Sequence, residues 1–436
     1  MPKQSSITRW LANTNGLFFS LYCIAAAFIT YCSMYAFRKP FSAGTYDDLS
    51  VLGIDYKIVL ITTQVIGYML SKFIGIKVVS EMGHNTRVKS ILILIGSSWL
   101  ALLAFGFIPY PYNFMALFFN GLPLGMIWGI VFSFLEGRRN TELLGAGMAT
   151  SFIVSSGFVK AVGKAVTDSY GYSEFWMPFL VGALFVPTLF AGVWMLSKIP
   201  PPTPEDEAER TERVPMGRQE RRQFFYTFAP GIVLMVAIYM ALTIFRDIRD
   251  NFAVELWGAL GYGEMPSILV TAELPIAVTV LLIIAAMMFI RSNRAAFYAN
   301  QLIIFAGGLL VLLTTWGFDT GWLAPAVWMI ISGFGMYLAY ISYHTMLFER
   351  WIAMFRYRSN IGYLMYVADA FGYLGSVGIL FLKNFGGSNL SWLSFFIRCG
   401  YWMGGATIVL IALSILYFRQ KEQSVKIIVP EGLGKV

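Results

Sequence analysis

The sequence predicts an all-α membrane protein with twelve transmembrane helices in two similar halves of six. Of its 436 residues, 57% are hydrophobic and only 13% are charged, whereas soluble proteins carry about a quarter charged residues. Apolar runs of roughly 20 residues, long enough to cross a bilayer, recur along the whole chain. We predict spans at 17–38, 57–78, 90–108, 113–135, 144–166, 175–197, 227–249, 266–290, 297–317, 322–346, 360–382 and 395–418.

A long polar stretch separates the sixth and seventh predicted spans. Residues 198–222 include IPPPTPEDEAERTERVP and RQERR, and mixed charge with prolines resists packing into a core. The stretch therefore predicts a solvated connector, with one bundle at 1–197, a cytoplasmic linker at 198–225 and a second bundle at 226–436. Three arginines of this linker are candidates for contact with anionic membrane lipid, namely Arg218, Arg221 and Arg222.

The basic residues predict the orientation of the chain. Most of the 32 Lys and Arg residues fall in the termini and in the loops after even-numbered spans, and such residues collect on the cytoplasmic side of a membrane. Both termini are therefore expected in the cytoplasm and the protein in the cell membrane, which is the inner membrane if the source is bacterial. The net charge of +8 is then a topology feature and predicts no nucleic-acid partner.

The first spans of the two halves share a local pattern. Span 1 ends in YCSMYAFRKPF and span 7 in YMALTIFRDIRDNF, so that Tyr31 precedes Arg38 by seven residues, as Tyr239 precedes Arg246. Parallel repeats of transporter folds are related by a pseudo-twofold axis. Such an axis would bring Arg38 and Arg246 to opposing walls of one cavity.

Five cations lie inside the predicted spans, namely Arg38, Lys72, Lys160, Arg246 and Arg249. A lone cation at the bilayer centre costs about 3 kcal/mol or more, so such residues usually serve a function. Snorkelling to the headgroups is the alternative for Arg38, Lys72 and Arg249. Lys160 lies about 24 Å into span 5, past the midplane. The basic excess predicts an anion-binding cavity.

Carboxylates inside the spans are fewer. For Asp247 we expect a salt bridge to a neighbouring arginine, and Arg249 is a candidate for the same kind of pairing. Glu273 and Asp369 are expected either to form salt bridges between the halves or to carry a proton. His344, at the end of span 10, is expected to be a hydrogen-bonded interface residue.

The sequence predicts neither a cofactor nor a catalytic site. Cys23, Cys32 and Cys399 show no CxxC spacing, which disfavours a disulfide framework and a zinc site. The motifs HExxH, GxSxG and GxxxxGK[ST] do not occur. We therefore expect no metal and no enzymatic activity.

Five short motifs occur in the order and on the spans where one transporter family carries them. They are Tyr31-x3-Tyr35-x2-Arg38-Lys39-x-Phe41 in span 1, Tyr68-x2-Ser71-Lys72-Phe73-Ile74 in span 2, Arg246 in span 7, Glu273 before Pro275 in span 8, and Phe371-Gly372-Tyr373-Leu374-Gly375 in span 11. Together they resemble the organophosphate:phosphate antiporters of the major facilitator superfamily, which include glycerol-3-phosphate and hexose-phosphate transporters. The resemblance implies the major facilitator fold and the exchange of a phosphate ester for inorganic phosphate by alternating access.

The resemblance also implies roles for individual residues. Arg38 and Arg246 would hold the phosphate and Lys72 would line the pore. Span 5 departs from the glycerol-3-phosphate members, which offer a histidine there, and has Lys160 instead as a candidate. Four tyrosines would donate hydroxyls or lend ring faces to the solute, namely Tyr31, Tyr35, Tyr68 and Tyr373. Residues 80–87, SEMGHNTR, occupy the loop where the superfamily keeps a gating motif.

The expected partner is a small anionic solute, carried by a chain that works as a monomer. Two alternatives stay open on the sequence. One is a proton-coupled carrier of a non-phosphate organic anion, with Asp369 or Glu273 as its protonation site. The other is a membrane sensor derived from a transporter.

Overall fold

The computed structural model describes residues 6–80, 82, 86–135, 138, 141–203, 218–287, 289–355, 361–385 and 390–428. Over these residues, twelve helices are long and apolar enough to cross a membrane, at Gly16–Ala36, Tyr56–Gly75, Arg87–Phe107, Phe114–Phe132, Thr141–Asp168, Met177–Lys198, Gln219–Asn251, Ile268–Met287, Asn293–Asp319, Pro325–Phe355, Leu364–Lys383 and Trp392–Ser424. We number them spans 1 to 12. The predicted multi-pass helical fold is confirmed.

An even number of spans returns the chain to the face where it started. We call this face the terminal face and the other the opposite face. Half of the eight residues proposed as a gating motif between spans 2 and 3, namely Glu81 and residues 83–85, lie outside the described residues.

The α-helices, in chain order, are Ser6–Ala12, Gly16–Ala36, Tyr56–Ser80, Arg87–Phe107, Phe114–Leu124, Ile127–Phe132, Thr141–Ala149, Ser151–Asp168, Met177–Lys198, Arg218–Asn251, Ala253–Trp257, Ile268–Thr271, Glu273–Met287, Asn293–Asp319, Pro325–Ser342, Phe348–Phe355, Ile361–Phe385 and Trp392–Ile428. A 3₁₀ turn, Pro40–Ala43, and a two-stranded hairpin, Ser50–Val51 with Ile54–Asp55, connect spans 1 and 2. Two short segments are π-helical, Gly258–Tyr262 and Tyr343–Leu347.

The seventh span starts earlier than the sequence predicts. Residues 218–225, assigned to the linker, are helical and continue into span 7. The charged residues at this end are compatible with a helix that leaves the apolar core of the membrane, which is why hydropathy alone placed the start too late. The helix bends at Phe228, just before Pro230, as expected where proline removes a backbone hydrogen bond.

The two halves meet along two equivalent seams. Span 2 packs on span 11, and span 5 packs on span 8, so the second span of each half contacts the fifth span of the other. At the second seam the backbones approach closely, because a Cβ at Gly157 would lie 1.8 Å from the carbonyl oxygen of Leu269. Small residues permit such close helix contacts in membranes. The candidate site lies between these two seams.

Candidate functional site at the interface of the halves

Two polar side chains hold the end of span 1. Asn120 Nδ2 donates to the carbonyl oxygen of Phe37 at 2.8 Å, and Gln64 Nε2 donates to that of Arg38 at 2.8 Å. Gln64 also donates to Asn120 Oδ1 at 2.6 Å. Both carbonyls lie just beyond the helix Gly16–Ala36, where the intrahelical hydrogen bonds have ended, and the two amides supply donors to them. They thereby fix the backbone from which Arg38 projects.

Arg38 is a buried cation whose charge is not balanced by a neighbouring carboxylate. Its residue is 5% exposed, and its Cζ atom lies 3.7 Å from the ring centroid of Tyr68. Its Nε atom is buried without a hydrogen bond, and none of the described carboxylates forms a salt bridge with it. The cation–π contact offsets part of the desolvation cost. Arg38 therefore keeps hydrogen-bonding capacity for an anion.

Arg246 has a different environment. Its Nη2 atom lies 2.6 Å from Asp247 Oδ1, and Ser376 Oγ donates to Asp247 Oδ2 at 2.8 Å. The guanidinium also donates to the hydroxyls of Tyr340 and Tyr373. The expected pairing of Asp247 with an arginine is present here, and it neutralises the charge of Arg246.

Tyrosine rings connect the two arginines. Tyr68 of span 2 and Tyr373 of span 11 meet edge to face across the halves, with ring centroids 5.0 Å apart. Arg38 lies over Tyr68 and Arg246 bonds Tyr373, so the arginines lie on either side of the tyrosine pair. Tyr31, whose ring centroid is 5.6 Å from that of Tyr35, completes the set of four tyrosines named from the sequence.

The glycines of the FGYLG motif explain the position of Tyr373. A Cβ at Gly372 would lie 2.8 Å from Thr243 Oγ1, and one at Gly375 would lie 2.5 Å from Met240 Cγ. Spans 11 and 7 could not pack this closely with larger residues at these positions. The close packing brings the Tyr373 hydroxyl within reach of Arg246.

Asp369 forms a salt bridge between the halves. Lys72 Nζ of span 2 lies 2.8 Å from Asp369 Oδ2, and the Tyr239 hydroxyl donates to Asp369 Oδ1. The same hydroxyl lies 2.8 Å from His344 Nε2 and 2.9 Å from the Tyr340 hydroxyl. Tyr239 was not predicted as a site residue, although a tyrosine at the repeat position of Tyr31 was a usable signal.

A second group of ion pairs lies towards the opposite face. Asp250 accepts from two lysines of the first half, Lys39 at 2.5 Å and Lys160 at 2.7 Å, and Lys57 pairs with Glu255. Burial lowers the pKa of Lys39, which lies beyond the end of span 1, to about 8, although Asp250 opposes this shift. Asp250 was absent from the predicted site because its two lysines are distant in sequence.

Of the two roles expected for Glu273, the salt bridge between the halves is absent among the described residues. Glu273 Oε1 lies 2.5 Å from Arg249 Nη1, and both residues belong to the second half. Gly333 of span 10 leaves room for the guanidinium on this side, since a Cβ there would lie 2.6 Å from Arg249 Nη2. A small cavity beside this pair is lined by Lys160, Asp250, Trp257 and Tyr337, among others.

Positive charge exceeds negative charge among the described residues of this interface. We count the region that is bounded by the Lys57 and Glu255 pair at one end and by the Lys72 and Asp369 pair at the other. It contains seven cations and five carboxylates. The cations are Arg38, Lys39, Lys57, Lys72, Lys160, Arg246 and Arg249, and the carboxylates are Asp247, Asp250, Glu255, Glu273 and Asp369. The excess of two arises at Arg38 and at Asp250, which serves two lysines. Buried cations need counter-charge, so this arrangement favours an anionic occupant.

The chain is similar in structure to a D-xylose-proton symporter. The TM-score is 0.60 with 14% sequence identity, over 92% of this chain and 97% of that chain. This likeness confirms that the twelve spans and their two halves form the major facilitator fold.

Comparison of sequences gives a different kind of result. No curated protein matches the chain. One family model does match, and it covers residues 40–421. The match therefore begins after span 1 and leaves out Tyr31, Tyr35, Arg38 and Lys39. The chain therefore belongs to the family of unknown function DUF5690.

Proposed function

We propose that this protein is a secondary active transporter that carries a small organic anion between its two halves by alternating access. The observation that carries the proposal is Arg38, a buried guanidinium at the interface of two bundles of the major facilitator fold, which has no carboxylate partner in the described part of the chain. The different environments of Arg38 and Arg246, which occupy equivalent positions in the two halves, support the proposal further. One arginine has an internal counter-ion, and the other is left for a solute.

The leading solute is a phosphate ester, exchanged for inorganic phosphate. A guanidinium meets two phosphate oxygens with parallel hydrogen bonds, which an ammonium cannot do. A phosphate monoester carries close to two negative charges at neutral pH, which matches the excess of two positive charges along the interface. Arg38 would take the phosphate, Arg246 would contact it from the other half, and Lys72 and Lys160 would add positive potential on either side.

The same charges provide a reason for exchange. Opening towards the opposite face must separate Asp250 from Lys39 and Lys160, because these residues come from different halves. Opening towards the terminal face must separate Lys72 from Asp369. A bound anion compensates the freed cations, whereas the empty protein has no such compensation. The empty transporter should therefore reorient slowly. We expect it in the cell membrane with both termini on the cytoplasmic side.

A proton-coupled carrier of a non-phosphate anion is the second candidate. Asp369 is buried, contacts Lys72 across the halves and accepts from Tyr239, so protonation of this carboxylate would weaken a bridge that must break during transport. The D-xylose-proton symporter shares the fold and is named for proton coupling. Uptake of an organic acid that follows a pH gradient and needs no internal phosphate would favour this candidate.

The test is counterflow of labelled phosphate in proteoliposomes against a panel of phosphate esters and organic acids. Arg38→Lys should lower the rate at least about tenfold, because a lysine keeps the charge and loses the paired hydrogen bonds. Arg294→Lys is the matched control, since Arg294 is 62% exposed at the side chain and pairs with Glu422 on the surface.

The outcomes separate the candidates. Exchange that Arg38→Lys abolishes and Arg294→Lys preserves supports the proposal. Exchange at wild-type rate in Arg38→Lys removes this arginine from solute binding. Specific solute binding without any counterflow or gradient-driven uptake would indicate a sensor instead.

A further inference from the structure

Two neighbouring rings from opposite halves each carry a buried nitrogen that has no hydrogen-bond partner among the described residues. Trp128 of span 4 and His344 of span 10 have ring centroids 5.7 Å apart. Trp128 Nε1 and His344 Nδ1 are both buried, and neither has a partner among the described residues. The His344 side chain is only 6% exposed. Leaving a buried polar group unpaired costs about 1–3 kcal/mol. Two such groups side by side at the interface therefore suggest that a bound solute pairs with them.

The hydrogen bonds around Tyr239 determine what His344 offers. The Asp369 carboxylate, paired with Lys72, can only accept, so the single proton of the Tyr239 hydroxyl goes to Asp369. His344 Nε2, 2.8 Å from the same hydroxyl oxygen, must then be the donor in that contact. A neutral imidazole that carries its proton on Nε2 has a lone pair on Nδ1. His344 therefore presents an acceptor towards Trp128.

Trp128 presents the complementary group. Its indole Nε1–H can only donate. A donor from one half and an acceptor from the other thus lie on rings whose centroids are 5.7 Å apart. A hydroxyl group is a small uncharged group that can satisfy both, because it donates one hydrogen bond and accepts another. Phe152, whose ring centroid is 5.5 Å from that of His344, adds an apolar wall for the carbon chain that carries such a hydroxyl.

This pair of residues is continuous with the arginine site. Arg246 Cζ lies 4.3 Å from the ring centroid of Tyr340, and that centroid lies 4.9 Å from the ring centroid of His344. The two groups are therefore at most about 9 Å apart. His344 belongs to a π-helical turn, Tyr343–Leu347, and such turns occur frequently at functional sites.

We propose that Trp128 and His344 form a hydroxyl-binding subsite that selects solutes with a hydroxyl several bonds from the anionic group. The inference rests on the proposed transport of an organic anion and adds a specificity to it. Each half contributes one hydrogen bond to the hydroxyl, so the subsite is complete only when the halves close around the solute. An anion without the hydroxyl leaves both nitrogens unpaired and binds more weakly.

The test compares matched pairs of solutes. In proteoliposomes loaded with labelled phosphate, 4-hydroxybutyl phosphate and butyl phosphate compete at equal concentrations, with 6-hydroxyhexanoate and hexanoate as the carboxylate pair. Wild-type protein should prefer the hydroxylated member about tenfold. Trp128→Phe should abolish this preference, because it removes the N–H donor. The variant keeps an aromatic ring beside Phe132, whose ring centroid lies 4.9 Å from that of Trp128 in a stacked arrangement.

Two controls make the result specific. Trp402→Phe makes the same chemical change at a residue that is 79% exposed and should keep the preference. The melting temperature of Trp128→Phe in detergent should stay near that of the wild type, which shows that the variant is folded.

Two results would overturn the inference alone. They are equal affinity for both members of a pair in the wild type, as a bridging water would produce, and an unchanged preference in Trp128→Phe. A wild-type protein that carries neither phosphates nor carboxylates would overturn the proposed function as well.

Discussion

The residue after each repeat-related arginine makes the two halves chemically different. Arg38 is followed by Lys39, and Arg246 by Asp247. Asp247 folds back on its neighbour at 2.6 Å, whereas Lys39 reaches Asp250 of the other half. A symmetric backbone therefore holds an asymmetric pair, with one neutralised arginine and one that is available for an anion.

The bridge between Lys72 and Asp369 permits a prediction for single residues. Lys72→Met leaves a buried carboxylate without its cation and should cost about 3–5 kcal/mol. Asp369→Asn added to Lys72→Met should restore part of that loss, because the neutral amide still accepts from Tyr239. Thermal melting in detergent of both single variants and the double variant measures the coupling.

The chain offers a matched surface pair for this measurement. Lys164 Nζ lies 4.0 Å from Asp168 Oδ1, and the Asp168 side chain is 54% exposed. Exposed pairs contribute little, so Lys164→Met with Asp168→Asn should give no detectable coupling. A coupling of the same size in both pairs would show that the Lys72 bridge has no special energetic role.

At the scale of helices, the contact of span 5 with span 8 is the tightest glycine contact between the halves in the described part of the chain. Gly157 lies one turn before Lys160, and a Cβ at residue 157 would lie 1.8 Å from the Leu269 carbonyl oxygen. This separation leaves no room for a methyl group, and the obstacle is backbone, which cannot rotate away. The close contact keeps Lys160 within reach of Asp250.

Gly157→Ala should therefore separate span 5 from span 8. We expect a lower melting temperature in detergent and slower counterflow, because the shift also pulls Lys160 away from Asp250. Gly405→Ala is the control, since Gly405 lies in span 12 and a methyl group there would meet no neighbouring atom within 4 Å, and alanine is the better helix former. Equal melting temperatures for both variants would argue against tight packing at this seam.

At the scale of the whole molecule, ion pairs join the halves on both sides of the arginine site. Towards the opposite face, Asp250 and Glu255 of the second half hold lysines of the first. Towards the terminal face, Glu142 Oε2 lies 2.9 Å from Arg350 Nη2. The relative strength of the two groups should decide which face opens in the absence of solute.

Removing both carboxylates towards the opposite face should open that face. In a background without Cys23, Cys32 and Cys399, the variant Asp250→Asn with Glu255→Gln leaves three lysines unpaired and mutually repulsive. A cysteine at Ile153, which lines the cavity and is 1% exposed, should then react at least about tenfold faster with an impermeant maleimide added at the opposite face.

The control for this labelling removes equivalent charges elsewhere. Asp168→Asn with Glu264→Gln changes two exposed carboxylates and should leave the labelling rate of the cysteine unchanged. If the Asp250 and Glu255 variant also labels at the wild-type rate, these ion pairs do not close the opposite face.

Hydropathy and charge by themselves determined the twelve spans, the two halves and the five cations inside spans, because span length and the cost of a buried charge are local properties of a sequence. Only the tertiary structure decided the partners. Glu273 pairs with Arg249 instead of bridging the halves, Asp250 serves two lysines, and Trp128 faces His344. Such pairings depend on which faces of distant helices meet, and that is fixed by close packing at residues such as Gly157 and Gly372.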